Sequence, residues 1–223
     1  MEIKILGVCG SPIKQGNTEV FLEEALKAAR EMEGVKTEAF FLSGKDISDC
    51  QHCNWCLTGQ EPGQFCKQND DMNEIYPLLV EADGLLLASP VYFGRLSGRM
   101  ACFIDRLRAF THGIYYRGQL KGKVGGALAV GWNRHGGVET TLLSLNFAFS
   151  SLGMLTAYER GISLGAGGVS SLSGTGEFVP DDKLTVLKDE YGLKSARRLV
   201  RRMVELIRII KLGREALDRE PGQ

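Results

Sequence analysis

Apolar and polar positions along the chain change period repeatedly, from unbroken apolar runs to apolar residues three or four apart. "IKILGVCG" (3–10) is a short continuous run, the pattern of a strand covered on both faces. "TEVFLEEALKAAREME" (18–33) then brings Val20, Phe21, Leu22, Ala25, Leu26 and Ala29 onto one broad helical face. A second strand is expected over 35–42, and a helix over 71–82 in which Pro77 marks a kink or a restart. "DGLLLASPVYFG" (83–94) predicts a third strand running into a loop, and 97–110 the next helix. A fourth strand over 123–133, a helix over 136–153, a fifth strand over 154–164 and a closing helix over 182–212 complete the order. The glycine-rich stretch 165–178 reads as a long loop.

Strict alternation with short connections predicts an α/β fold: one mostly parallel sheet, helices on both faces and right-handed crossovers. Five strands with an insertion after the second fit the order 2-1-3-4-5, in which a ligand sits outside the carboxyl ends of strands one and three. The whole of 1–223 is expected to be one domain, with residues 43–70 as a cysteine-rich loop inserted after strand two. Composition agrees, since 43% apolar and 24% charged residues allow a full core. The formal net charge of zero removes the electrostatic case for nucleic acid or an anionic membrane surface. No apolar run approaches a membrane span, and the N-terminus reads as a strand rather than a signal peptide, so a cytoplasmic location is expected.

Two stretches carry candidate chemistry. "GSPIKQGNT" (10–18) lies between a strand and a helix, where free backbone N–H groups and the positive end of the helix dipole favour an anion. Ser11, Asn17 and Thr18 add donors, Lys14 a charge, and Gly10 and Gly16 a tight turn; a plain helix cap is the competing reading. The loop is neither a Walker sequence nor a dinucleotide fingerprint. "CQHCNWCLTGQEPGQFC" (50–66) has the spacing C-x2-C-x2-C-x9-C. Three cysteines at three-residue intervals wrap one side of a cubane and a distal fourth completes the ligation, which leans toward a 4Fe–4S cluster on Cys50, Cys53, Cys56 and Cys66. Zinc is the alternative, as are free thiols or disulfides; His52 is a weak substitute for a fourth ligand. Cys9 and Cys102, in apolar patterns, read as small buried hydrophobes.

"GSPIKQGNT" together with "ASPVYFGRLSGRMACFIDR" (88–106) and the clustered cysteines resembles the iron–sulfur flavoprotein branch of the flavodoxin-like NADPH-dependent FMN reductase superfamily. The resemblance implies a flavodoxin-like three-layer fold and FMN, with Ser11, Lys14, Asn17 and Thr18 at the phosphate. Pro90, Val91, Tyr92, Phe93 and Gly94 would pass along the isoalloxazine ring, as an apolar and aromatic wall at the switch point allows. The loop "GWNRHGG" (131–137) would border the ring's pyrimidine end, with Asn133, Gly136 and Gly137 as donors that stabilise the reduced flavin. An exposed polar loop is the competing account, and His135 is a weaker candidate acid–base group. The family's cysteine motif has a shorter final gap, so "GQEPG" here reads as an insert. Family members set the cluster against the flavin of a neighbouring subunit, which implies a homodimer or homotetramer. Trp55 would then shield the cluster or pack at that interface.

In the closing helix Leu193, Ala196, Val200, Met203, Ile207 and Ile210 share one face. Arg197, Arg198, Arg201, Arg202 and Arg208 line the others, a solvated basic face or a contact for an NADPH 2′-phosphate or acidic partner. No catalytic triad or carboxylate pair stands out, so no catalytic residue is assigned. The expectation is an oxidoreductase-like electron carrier between a ferredoxin-like donor and a small-molecule or protein acceptor. An NAD(P)H-dependent FMN or quinone reductase with zinc or no metal is the first rival. A non-enzymatic flavin or thiol redox sensor is the second.

Overall fold

The computed structural model describes residues 1–161 and 164–219. Its elements in chain order are β1 (Ile3–Cys9), α1 (Asn17–Arg30), β2 (Val35–Phe41), α2 (Trp55–Thr58), α3 (Met72–Glu81), β3 (Gly84–Tyr92), β4 (Arg95–Leu96), α4 (Gly98–Arg106), α5 (Arg108–Thr111), β5 (Val124–Gly131), α6 (Val138–Ser151), β6 (Leu155–Thr156), β7 (Ala166–Val169) and α7 (Glu190–Arg219). No described helix is long and apolar enough to cross a membrane.

The expected α/β fold and the order 2-1-3-4-5 are present. β2, β1, β3 and β5 lie side by side in parallel register, from Ile3 opposite Val35 to Pro90 opposite Val130. Their nearly continuous apolar runs follow from cover on both faces. Leu6, Val8, Leu85, Leu87, Ala127 and Ala129 face α3, α4 and α6, whereas Ile5, Cys9, Leu86, Ala88, Leu128 and Val130 face α1 and α7. The strand glycines make room for that cover. A Cβ on Gly125 would stand 2.6 Å from the Phe149 ring, and one on Gly126 would stand 2.4 Å from the Met203 sulfur.

The fifth sheet position departs from expectation. Among the described residues the predicted strand over 154–164 pairs only as β6, against Val124 and Gly125, and the sheet is continued by β7, inside the stretch read as a loop. The reason is space. A Cβ on Gly167 would stand 2.6 Å from Val138, and one on Gly168 would stand 3.1 Å from both Phe21 and Val186. At Gly167 a side chain would force Val138 to shift and at Gly168 it would be tightly packed, so glycine marks close packing rather than looseness. Ile162 and Ser163 of the predicted strand lie outside the described residues. The rest of the stretch, 170–178, does return as a loop, over residues 131–135.

Three helical expectations shift. Pro77 leaves α3 continuous from Met72 to Glu81, and the helix expected over 97–110 divides at Leu107. The closing helix begins at Glu190 rather than 182, because Asp189 caps it: its Oδ1 accepts from Gly192 N–H at 3.0 Å and its Oδ2 from Val169 N–H at 2.9 Å. α7 buries Ala196, Val200, Met203 and Ile207 as its spacing predicts. Four of its arginines meet acids of the same chain, Arg197 with Glu24, Arg198 with Glu159, Arg202 with Glu205 and Arg219 with Glu215.

Residues 43–70 form the segment between β2 and α3, and the core grips it through one buried ion pair. The Arg106 guanidinium, with no exposed side-chain surface, donates to both oxygens of Asp70 and, at 3.2 Å, to Ser48 O. Removing one member strands the other charge in the core. Asp70→Asn is expected to destabilise the fold by about 3–5 kcal/mol in urea unfolding. A loss near zero would mean that the pair does not hold the segment.

Candidate functional site

Three loops meet at the carboxyl edge of the sheet, after β1, β3 and β5. The first is held by its neighbours before any ligand is considered. Gly10 lies against α4 so closely that a Cβ would stand 2.6 Å from Met100 Cβ. The Ser97 hydroxyl, buried, donates to Gly10 O at 2.6 Å and accepts from Met100 N–H at 3.1 Å, capping α4 and fastening it to the end of β1. Ser97 N–H in turn donates to the Ser89 hydroxyl on β3 at 3.0 Å. The serines of "ASP" and "RLSG" are therefore the joint of the switch point.

Within the first loop Ser11 is buried and its hydroxyl accepts from Ile13 N–H at 3.1 Å. Gln15 takes a left-handed φ of 53°. α1 starts after Gly16, and the N–H groups of Gly16, Asn17, Thr18 and Glu19 have no partner among the described residues. Such a row of amides at a helix N-terminus is an anion cradle. The Thr18 hydroxyl also lacks a partner there. The Asn17 side chain is engaged elsewhere: its amide donates to Lys183 O at 2.9 Å and its carbonyl accepts from Val186 N–H at 3.0 Å. Asn17 offers its backbone and ties the segment before α7 to the loop. Lys14 is exposed, with its ammonium beside Gly44.

The second loop turns back as a tight hairpin, Val91 and Tyr92 pairing with Leu96 and Arg95 of β4. Phe93 (φ 50°) and Gly94 (φ 73°) are both left-handed, as a two-residue hairpin of this twist needs. A left-handed aromatic is uncommon, and the conformation turns the Phe93 ring fully to solvent. Pro90 is buried, Val91 half-buried, and Tyr92 41% exposed. Burial, and then Cys9 beneath it, raise the Tyr92 hydroxyl above the ordinary tyrosine value. Burial also pushes the Cys9 thiol up to about 12, so Cys9 is the inert apolar group expected of it; Cys102 on α4 is only half-buried.

The third loop abuts the second. Gly137 lies so near Gly94 that a Cβ would stand 2.3 Å from its Cα, and the Thr140 hydroxyl donates to Gly94 O. Gly136 N–H is already bonded to Asn133 O at 3.0 Å. The Asn133 side chain lies at Gly176, and Arg134 N–H donates to Gly174 O at 2.9 Å. Trp132 Nε1 donates to Gly176 O at 2.9 Å and its ring stacks on Phe178, 6.2 Å between centroids. Loop 170–178, which sequence reading did not connect to the site, thus covers the third loop. Tyr92, Phe93, Trp132 and Phe178 leave exposed aromatic surface at this edge.

The cysteine segment is curled by two left-handed residues on either side of Cys53, His52 (φ 50°) and Asn54 (φ 60°). Asn54 is held by Arg108, whose guanidinium donates to its Oδ1 at 2.7 Å. All four cysteines are free thiols, Cys53 exposed and the others half-buried. Cys50, Cys53 and Cys66 stand close enough to Cys56 for their charges to act on it. Burial first, then those neighbours, raise the Cys56 thiol, while Arg108 lowers it. No three Cys, His, Asp or Glu side chains among the described residues close in on a single metal ion.

The long gap before Cys66 is anchored rather than loose. Gln60, in the insert, is buried and makes four hydrogen bonds: its amide donates to Phe65 O (2.8 Å) and Ala109 O (3.1 Å), and its carbonyl accepts from Tyr115 and Tyr116 N–H (both 3.1 Å). Gly63 N–H donates to the Tyr116 hydroxyl at 2.6 Å. Phe65 lies between Tyr116, 3.8 Å between ring centroids, and Tyr76, 4.9 Å. That stack fixes Cys66 beside it. Trp55 lies on Gly59, where a Cβ would stand 2.3 Å from Nε1. Gln60 and Phe65 escape sequence reading because their partners, 109–116, follow some fifty residues later. The proline and glycines of the insert signal a turn but not what it docks against.

Comparison with known proteins agrees with these features. Residues 3–167 match the model of the NADPH-dependent FMN reductase family. An iron–sulfur flavoprotein of Methanocaldococcus jannaschii is 38% identical over 209 residues, which cover 94% of this chain and 100% of that one. Two solved structures share the fold at low identity. RosB with bound 8-demethyl-8-formylriboflavin-5′-phosphate superposes with a TM-score of 0.73 at 18% identity, covering 94% of this chain and 81% of that one. A flavodoxin, WrbA-like protein of Agrobacterium tumefaciens does so with 0.58 at 15%, covering 94% and 99%. With this fold and these two loop systems, the chain belongs to the NADPH-dependent FMN reductase family, in its iron–sulfur flavoprotein branch.

Proposed function

We propose that the chain is an electron-transfer flavoprotein holding FMN at the carboxyl edge and a 4Fe–4S cluster on Cys50, Cys53, Cys56 and Cys66. It passes electrons between a ferredoxin-like donor and an acceptor. The observation that carries this reading is a segment with four free thiols that the core anchors at both ends, Arg99 holding Leu42 O and Arg106 holding Asp70. The donor set fits iron, which takes thiolates. When bound, the flavin exchanges electrons singly or in pairs and the cluster exchanges one at a time.

The chain's own groups bind and orient. The free amides of residues 16–19 and the Thr18 hydroxyl suit a phosphate, with Ser11 shaping the loop and Lys14 adding charge. Pro90 to Gly94 offer a wall for a flat ring, and Gly137 N–H, without a partner among the described residues, is the donor of the third loop. Asn133 and Gly136 contribute by holding that loop closed on 174–176. Among the described residues no side chain is placed to move a proton, which electron transfer does not require. Assembly into a dimer or tetramer belongs to the same reading. Leu143 and Phe147 are exposed on α6, beside an apolar hollow of about 460 Å³ between α4, α5 and α6 that reaches Arg108 at the cysteine segment. Exposed apolar surface of this kind favours a subunit contact.

Protein purified without oxygen is expected to contain about four irons and four acid-labile sulfides per chain. Cys53→Ala should lose the iron and keep FMN. Zinc or no metal, with direct bleaching by NADPH, would turn the assignment to an NAD(P)H-dependent reductase. Gln60→Ala should lower iron retention on dilution while FMN affinity stays unchanged; equal retention would remove Gln60 from the anchoring of Cys66. Riboflavin, which lacks the phosphate, should bind about 100-fold more weakly than FMN by fluorescence titration. Equal affinities would exclude the cradle as a phosphate site.

A further inference from the structure

The first loop contains an acid that phosphate binding does not call for. Glu19, the third residue of α1, is only 6% exposed. Its carboxylate accepts from two directions: from Gln15 N–H at 2.6 Å on Oε2, and from the Ser43 hydroxyl at 2.7 Å on Oε1. The ordinary use of glutamate at this helical position is to reach back to the N–H of the capping residue, here Gly16. Glu19 instead reaches one residue farther. It takes an amide outside the helix and leaves the helix's own amides free to meet an anion.

Each partner lies in a different loop. Gln15 is left-handed, a conformation that any residue with a Cβ holds at a cost, and the Glu19 bond offsets it. Ser43 is buried and stands where the cysteine segment leaves the sheet, just after β2. The two loops run side by side there. Leu42 N–H donates to Cys9 O at 2.9 Å, and a Cβ on Gly44 would stand 3.1 Å from Lys14 Cε. One buried carboxylate therefore joins the shape of the phosphate loop to the root of the cysteine segment.

We infer that Glu19 is a positioning residue shared by the two cofactor loops, holding Gln15 in the turn that aims the helix amides and, through Ser43, fixing the start of the cysteine segment. The flavin half of this inference rests on the FMN reading; the joining of the two loops does not.

The test uses the full chain with Glu19→Ala, Glu19→Gln, Ser43→Ala and the double variant Glu19→Ala with Gln15→Gly. In flavin-free protein, Glu19→Ala is expected to raise amide hydrogen exchange over both 11–17 and 42–48, with little change elsewhere. FMN affinity relative to riboflavin should fall about tenfold, the equivalent of one charge-assisted hydrogen bond. Glu19→Gln keeps an acceptor for Gln15 and gives Ser43 a donor, so both readouts should stay near wild type. Glycine at 15 needs no partner to turn left-handed, so the double variant should regain the FMN preference while 42–48 stays exposed to exchange. Ser43→Ala should raise exchange on the far side as well, over 11–17, which also decides the matter if Glu19→Ala does not fold. Exchange confined to one of the two segments in Glu19→Ala or Ser43→Ala overturns the inference, as does equal weakening of FMN and riboflavin. Failure of the FMN reading shows differently, as wild-type protein that binds no FMN; hydrogen exchange over the two segments then decides whether Glu19 joins them.

Discussion

The functional edge depends on a close approach of the end of β1 to α4 that one added side chain would prevent. Gly10, at the end of β1, lies against Met100 on α4, and the Ser97 hydroxyl closes the gap with one bond to each strand-end and helix-start group. Because Ser97 is also bonded to Ser89, this joint sets the distance between β1 and β3 where their loops diverge. Parallel sheets place ligands where the chain leaves adjacent strands in opposite directions, so a joint at that point fixes the width of the site. The first loop, the Tyr92–Arg95 hairpin and, through Gly94 and Gly137, the third loop all take their position from it.

The cysteine segment answers to a different constraint. Its first three cysteines lie on a stretch curled by left-handed residues at 52 and 54, whereas the fourth is positioned by the core. A longer final gap costs little in closure entropy, since that cost grows only with the logarithm of length. Orientation is the harder requirement, and the insert meets it with its own anchors: Gln60 on 109–116, Gly63 on Tyr116, and Phe65 between two tyrosines. Arg106 and Asp70 hold the far end. An insertion of this composition extends the segment without freeing it.

These two systems share residues rather than merely lying in one fold. Glu19 bonds to both loops, and Arg99 on α4 donates to Leu42 O and Lys45 O, both at 3.0 Å, at the root of the cysteine segment. A site on either loop is thus built on supports that the other also uses. Loop 170–178 adds a third member to this edge, outside the region that matches the family model, and brings Phe178 onto Trp132.

Local periodicity determined most of the architecture by itself. Strands buried on two faces must be apolar throughout, and helices covering them must show one apolar stripe, so element order, sheet order and the strand-end positions of the candidate loops were legible. The cysteine segment was legible too, from its C-x2-C-x2-C-x9-C spacing, and left-handed residues at 52 and 54 curl it about Cys53. Tertiary structure alone decided the rest, wherever a residue's role is set by a distant neighbour. Gly167 and Gly168 read as a loop and proved to be a strand, paired with β5 and packed closely under Val138, Phe21 and Val186. Asn17 read as a ligand donor, yet its side chain holds 183–186, and Gln60 read as part of an insert, yet it is an anchor. Sequence records what each residue can do; packing against partners far along the chain decides which of those capacities is used.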